Sequence, residues 1–152
     1  MRLIIHQREV RADDAYYAED EPVSGARRVV ALADLLSGAD ADAVLIGPAD
    51  EVEKLAPYLS HLKLIVADFP KIGDGRGFSQ ARLLRQRFGY KGELRARGAL
   101  KRDQLFFLAR CGFDSFQLDP AEDLQAALSA FDTFSAAYQD GAEGIVHVKR
   151  RN

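Results

Sequence analysis

Lys71, Asp74, Arg76, Ser79, Arg95, Arg97 and Asp103 are the side chains of this 152-residue chain whose types and spacing suit chemistry. The chemistry they suit is the handling of a small anion. Lys71 and Arg76 lie in a loop, Phe69–Gly77, in which Gly73, Gly75 and Gly77 alternate. Free backbone amides where the next helix begins, near Ser79, would add to the pull of the two cations on an oxyanion. Asp74 sits between two of the glycines. It is either a turn residue bonding its own backbone or a base or magnesium candidate. The competing account of the whole loop is a tight turn that needs positive φ angles.

Glu93, Arg95 and Arg97 alternate with Leu94 and Ala96, so one face of a short strand carries three charges. Breaking a buried ion pair costs about 3–5 kcal/mol. These side chains must therefore pair within the fold or face a polar cavity. Arg97 falls at the strand's carboxyl end, as Asp68 does on the preceding strand, and Asp103 in the next helix could join them. The ligand-binding candidates are accordingly Lys71, Arg76, Ser79, Arg95 and Arg97, with Asp74 and Asp103 as candidate acid/base groups. Residues 71–110 hold eleven bases and three acids, a net charge of +8 in a chain whose total is −2. Such asymmetry points to an anionic ligand or an acidic partner surface.

Several classes are disfavoured. The glycines do not fit a dinucleotide fingerprint, because the sixth position from Gly73 is Phe78, and no Lys-Ser/Thr follows as in a P-loop. Cys111, the single cysteine, rules out an intrachain disulfide and a cysteine-built zinc or iron–sulfur site, and it reads as a small core residue. His6, His61 and His147 lack ligand spacing, so no metal and no cofactor is expected. Arg82, Arg85 and Arg87 read as the solvent face of a helix. Without interleaved aromatics, and with a sequence pI of 5.9, they make a poor nucleic-acid surface. No apolar run approaches the roughly 20 residues of a membrane helix, and MRLIIHQREV does not read as a signal peptide, so the cytoplasm is the expected compartment.

The elements that position these residues form one domain. Arg2–His6 and the acidic stretch after it read as an N-terminal hairpin or arm over residues 1–28, and Val29–Leu36 as a short helix or a strand running into one. Over 43–138 strands and helices alternate. The strands are Ala43–Gly47, Leu62–Asp68, Glu93–Arg97 and Phe113–Leu118. The helices begin at Pro48, near Phe78, near Lys101, and after Asp119-Pro120-Ala121-Glu122, where Asp119 reads as the N-cap. Leu124, Ala127, Leu128, Phe131 and Phe134 line one face of the last helix, and Ile145–Val148 reads as a closing edge strand before Lys149-Arg150-Arg151. The expected fold is a single α/β domain of repeated βα units with a mostly parallel sheet, a half TIM barrel or an open sheet, since eight units need about 250 residues. An exposed edge then requires a homodimer or cover from the arm.

The run FPKIGDGRGFSQARLLRQRFGYKGELRARG, followed by RDQLFFLARCGFDSF, resembles the signature of an uncharacterised bacterial family, domain of unknown function 934. The blocks that carry it are Asp74-Gly75-Arg76-Gly77, Ser79-Gln80-Ala81-Arg82, Gly92-Glu93-Leu94-Arg95-Ala96, Asp103-Gln104-Leu105 and Gly112-Phe113-Asp114. The match is strong over Leu62–Leu118 and looser outside it. Ala99-Leu100 departs from it where the family has an acidic residue followed by an apolar one. The resemblance implies a place in assimilatory sulfite reduction, as an accessory protein or an oxidoreductase. It also implies sulfite or sulfate as the anion, with sulfite reductase or another sulfur-assimilation enzyme as partner. Whether the chain catalyses, docks, or survives as a barrel fragment is left open.

Overall fold

A computed structural model describes residues 2–71 and 74–141. The expected edge strand Ile145–Val148 and the basic tail lie outside these residues. The N-terminal arm is a hairpin, β1 (Leu3–His6) and β2 (Glu9–Ala12), followed by a two-residue strand, β3 (Ala15–Tyr16). The hairpin turns at Gln7-Arg8, both with positive φ, the geometry that matches the twist of paired strands. Then follow β4 (Arg27–Ala31), α1 (Leu32–Leu36), β5 (Ala43–Ile46), β6 (Leu64–Phe69), α2 (Arg76–Arg82), β7 (Glu93–Gly98), α3 (Leu105–Cys111), β8 (Ser115–Gln117) and α4 (Leu124–Gly141).

Three local expectations are corrected. The helix after Pro48 is a 3-10 helix, Val52–Tyr58; Pro57 inside it lacks an N–H, and Val52 and Leu55 bury themselves at a spacing of three. The helix near Phe78 begins at Arg76 and ends in a π turn, Leu83–Arg87, before Gly89 at φ +66. The last helix is capped by Asp123, whose Oδ1 accepts the N–H groups of Gln125 and Ala126, whereas Asp119 closes a turn by accepting from Ala121.

The eight strands form one sheet in the order β2-β1-β8-β7-β6-β5-β4-β3. From β3 to β8 all neighbours are parallel and consecutive in sequence; the hairpin joins antiparallel through β1 to β8. The sheet curls into an open half-barrel. Its outermost strands, β2 and β3, are separated in the chain by only Asp13 and Asp14. Three Cα–Cα steps of about 3.8 Å keep Ala12 and Ala15 within roughly 11 Å of each other. The arm thus covers both edges of the parallel strands, so those edges no longer call for a second copy.

Alternation sorts the strand residues between two cores. Val30, Val44, Ile46, Ile65, Ala67, Phe69, Leu94, Ala96 and Phe116 face the helices, packing with Leu84, Leu105, Leu108 and Phe131. Leu64, Val66, Ala43 and Val29 face inward and pack on Ala15 and Tyr17 of the arm. Strands covered on both faces are apolar throughout, hence the run LIVA in β6.

The inner face of β7 breaks that pattern with Arg95, which has no exposed surface. Its Nε donates to Ser115 Oγ at 2.9 Å, Nη1 to Asp13 Oδ1 at 2.9 Å and Nη2 to Glu93 Oε2 at 2.8 Å. The second oxygen of Asp13 takes Arg2 at 2.7 Å, and that of Glu93 takes Arg27 at 3.2 Å. Burial opposes the charge on Arg95, but Tyr17, Glu93 and Asp13 outweigh it and raise its pKa. Burial likewise pushes the Glu93 carboxyl up, and the adjacent Arg95 charge overrides this to leave it lowered.

Arg95→Met removes the charge and leaves Asp13 and Glu93 facing the interior. It is expected to cost about 3–5 kcal/mol in urea denaturation. A loss below about 1 kcal/mol, the scale of an exposed pair, would mean the network does not hold the arm. Because the folded pKa of Glu93 lies below its ordinary 4.5, the wild-type stabilisation it provides is full above that pH and lost as pH falls through the lowered value.

Candidate functional site

The carboxyl ends of parallel strands, with the loops leading into helices, are where such sheets bind ligands. Here that end gathers Asp68 from β6, Arg97 from β7 and Gln117 from β8, with Tyr17 and Glu19 from the arm. Asp68 and Arg97 are directly opposite in register, and Arg97 Nε donates to Asp68 Oδ1 at 3.2 Å. Arg97 Nη1 reaches Glu19 Oε2 at 3.2 Å. The guanidinium lies over the Tyr17 ring, 4.1 Å from its centre, while Arg2 stands 5.1 Å from the same centre. The Tyr17 hydroxyl donates to Gln117 Oε1 at 2.9 Å, and burial raises its pKa.

Access grades across this cluster. Tyr17 is 1% exposed, the Arg97 side chain 15% and the Glu19 side chain 62%. Just after Arg97, Gly98 adopts φ +117, and a side chain there would run into the Phe69 carbonyl. Nearby, Arg2, Leu3, Val10, Gln117, Leu118, Pro120 and Leu124 line a cleft of about 560 Å³ between the hairpin and the start of α4.

The structure separates the residues that the sequence grouped. Arg97 is at the mouth, paired with Asp68 as their strand positions suggested. Arg95, two residues earlier, is sealed inside with Asp13, Glu93 and Ser115. Asp103 is exposed and lines a different cleft, of about 590 Å³, with Lys101, Arg102, Ala121, Glu122 and Asp123. The salt bridges of Arg95 and Arg97 go to Asp13, Asp14, Glu93, Asp68 and Glu19 rather than to Asp103. Lys71 and Ser79 are exposed.

Asp74 takes the turn geometry. Its Oδ1 accepts the Arg76 backbone N–H and Nε, both at 3.0 Å, and its Oδ2 accepts Nη2 at 2.7 Å. A carboxylate therefore already sits where α2 begins. Arg85, read as solvent-facing, instead donates to the carbonyls of Gly112, Tyr90 and Gly92 and ties two loops together.

The sequence reading missed Arg2, Tyr17, Glu19 and Gln117. Only one signal could have found the arm residues: the stretch ADDAYYAED is acidic and aromatic, opposite in character to residues 71–110. Among the described residues, no group of three or more His, Cys, Asp and Glu could hold a metal ion, and no helix is long and apolar enough to cross a membrane.

The Asp74 carboxyl titrates at about 2, below its ordinary 3.8, first because the Arg76 side chain bonds it and then because the Arg76 backbone does. In Arg76→Ala its midpoint, followed by carboxyl carbon NMR, is expected to climb toward 3.8. An unchanged midpoint would mean that the guanidinium does not hold it.

None of the curated proteins matches this chain. A family model, described as a bacterial protein of unknown function (DUF934), matches residues 43–147. That span runs from β5 through α4 and includes Asp68, Arg97 and Gln117, while Tyr17 and Glu19 precede it. With more than two thirds of its length matched, the chain belongs to the DUF934 family of bacterial proteins of unknown function.

Proposed function

We propose that the protein is an accessory protein of assimilatory sulfite reduction that holds a small oxyanion, sulfite or sulfate, at the carboxyl-end mouth of the half-barrel. The observation that carries the binding reading is Arg97. It is a partly exposed guanidinium at the position where parallel sheets take ligands, stacked on a buried tyrosine and oriented by Asp68. A planar guanidinium fixed in this way presents its two terminal nitrogens as a fork suited to the oxygens of an oxyanion. The link to sulfite rests on the sequence resemblance.

In this reading Arg95 positions the strand that carries Arg97 and does not touch the ligand. Lys71, Arg76 and Ser79 belong to the loop and helix that follow β6; Lys71 adds positive potential at the same end of the sheet, Arg76 is offset by Asp74, and Ser79 offers a hydroxyl. Asp74 holds Arg76 in place, and Asp103 stands at the neighbouring cleft as the remaining acid/base candidate. The protein acts in the cytoplasm.

A second reading, docking on a sulfur-assimilation enzyme such as sulfite reductase, has one specific observation in its favour. Phe107 on α3 is 48% exposed, with its ring edge-on to Phe78 at 5.0 Å, on a face that also carries exposed Arg82. An exposed aromatic beside a cation is a common composition for an interface.

Thermal denaturation with sulfite, sulfate, phosphate and chloride at matched ionic strength separates the two readings. Sulfite-selective stabilisation that disappears in Arg97→Ala is the expected result; ligand at about 100 times its dissociation constant adds roughly 2.7 kcal/mol. An absence of any selective shift would overturn the anion reading and leave the docking face as the functional surface.

A further inference from the structure

The three groups around Arg97 differ in how firmly they are held. Asp68 faces it across paired strands. Tyr17 is 1% exposed and tied to Gln117. Tyr17 cannot leave without disturbing the inner core, and the backbone of Asp68 is fixed opposite Arg97 by strand pairing. Glu19 is different: its side chain is 62% exposed, and among the described residues its hydrogen bond to Arg97 Nη1 at 3.2 Å is its sole ion-pair contact. The next residue, Asp20, is anchored by Arg2 at 2.9 Å and by the Tyr17 N–H at 3.0 Å, so the backbone beneath Glu19 stays in place when its carboxylate swings out. Glu19 also engages Arg97 through one nitrogen only. Among the described residues, Nη2 of Arg97 makes no hydrogen bond.

We infer that Glu19 is an intramolecular stand-in for the ligand: its carboxylate occupies the Arg97 position that a free oxyanion takes on binding, so that ligand entry is an exchange of anions. The inference rests on the anion-binding reading above and adds the element that sets its affinity. An oxyanion bridging Nη1 and Nη2 makes two charge-assisted hydrogen bonds where Glu19 makes one. Exposed ion pairs held by a flexible side chain are weak, so the exchange does not require a strong ligand. The apparent affinity is reduced by the fraction of molecules in which Glu19 is engaged. The same contact weakens the binding of chloride and other monovalent anions by the same factor.

The test is isothermal titration of the full chain with sulfite at fixed ionic strength. The variants are Glu19→Gln, Arg97→Ala, Arg97→Lys and Glu21→Gln. Glu21 is another exposed acid of the arm and controls for a general change of charge. If Glu19 is engaged in most molecules, Glu19→Gln should bind sulfite about 5-fold more tightly. Glu21→Gln should leave affinity unchanged, and both Arg97 variants should weaken it. Arg97→Lys keeps the charge, so it remains informative should Arg97→Ala fail to fold. If Glu19→Gln is no tighter than wild type while Arg97→Lys weakens binding, the stand-in role is overturned and the Arg97 anion site survives. Equal tightening by Glu21→Gln would reduce the effect to bulk charge and also overturn it. Absence of sulfite binding by both wild type and Glu19→Gln would remove the anion reading together with the inference.

Discussion

A guanidinium with no surface in water must be answered by charge and hydrogen bonds, and Arg95 obtains them from three separate places. Glu93 comes from its own strand, Ser115 from the neighbouring strand, and Asp13 from the arm, 82 residues away in sequence. Satisfying Arg95 therefore fixes where the arm lies. It also fixes which face of β7 points inward, because a slip of one residue would turn Arg95 onto the helices and Leu94 into the half-barrel. With that face set, the alternation of the strand delivers Arg97 to the inner face at the mouth. The stacking of Arg97 on Tyr17 follows from the same placement of the arm. The candidate site is thus a consequence of the buried network two residues below it.

The charge asymmetry of the sequence takes on a different meaning in the fold. A segment at +8 in an otherwise acidic chain invites the search for an external anion or acidic partner. Much of its counter-charge is supplied by the chain itself. Asp13 answers Arg95, Glu19 answers Arg97, and within the segment Asp74 answers Arg76 and Glu93 answers Arg95. What remains outward is a distributed set, including exposed Lys71, Arg82, Arg87, Lys91 and Lys101, on the surface rather than in one pocket. Intramolecular neutralisation lowers the apparent affinity of every anion alike, because each has to displace a carboxylate already in place.

The βα core was legible because its signals are local. AVLI and LIVA are apolar runs of strand length, glycines stop helices at 89 and 112, and the charged alternation of Glu93, Arg95 and Arg97 marked a strand with something polar beneath it. The pairing of Asp68 with Arg97 followed from both lying at carboxyl strand ends. Other features depend on contacts that no window of sequence contains. Arg85 looks like any exposed basic residue of a helix until the carbonyls of residues 90, 92 and 112 converge on it. Tyr17 and Glu19 sit in a turn-rich stretch without periodicity, and their partners are about 80–100 residues ahead. Local pattern indicates which side chains face a core and says little about which distant group will meet them.

The pairing of β1 with β8 joins Ile5 to Phe116, so the first strand made is one of the last to find its place. During synthesis the hairpin emerges with no neighbour for its inner edge until more than a hundred further residues exist. Asp13, likewise, waits for Arg95. The consecutive parallel units from β5 to β7 contact one another in order and can assemble as they appear, whereas closing the arm bears the entropy of a very long loop. The hairpin can therefore lock only once β8 and Arg95 exist, whereas β3 of the same arm finds its neighbour β4 a dozen residues on.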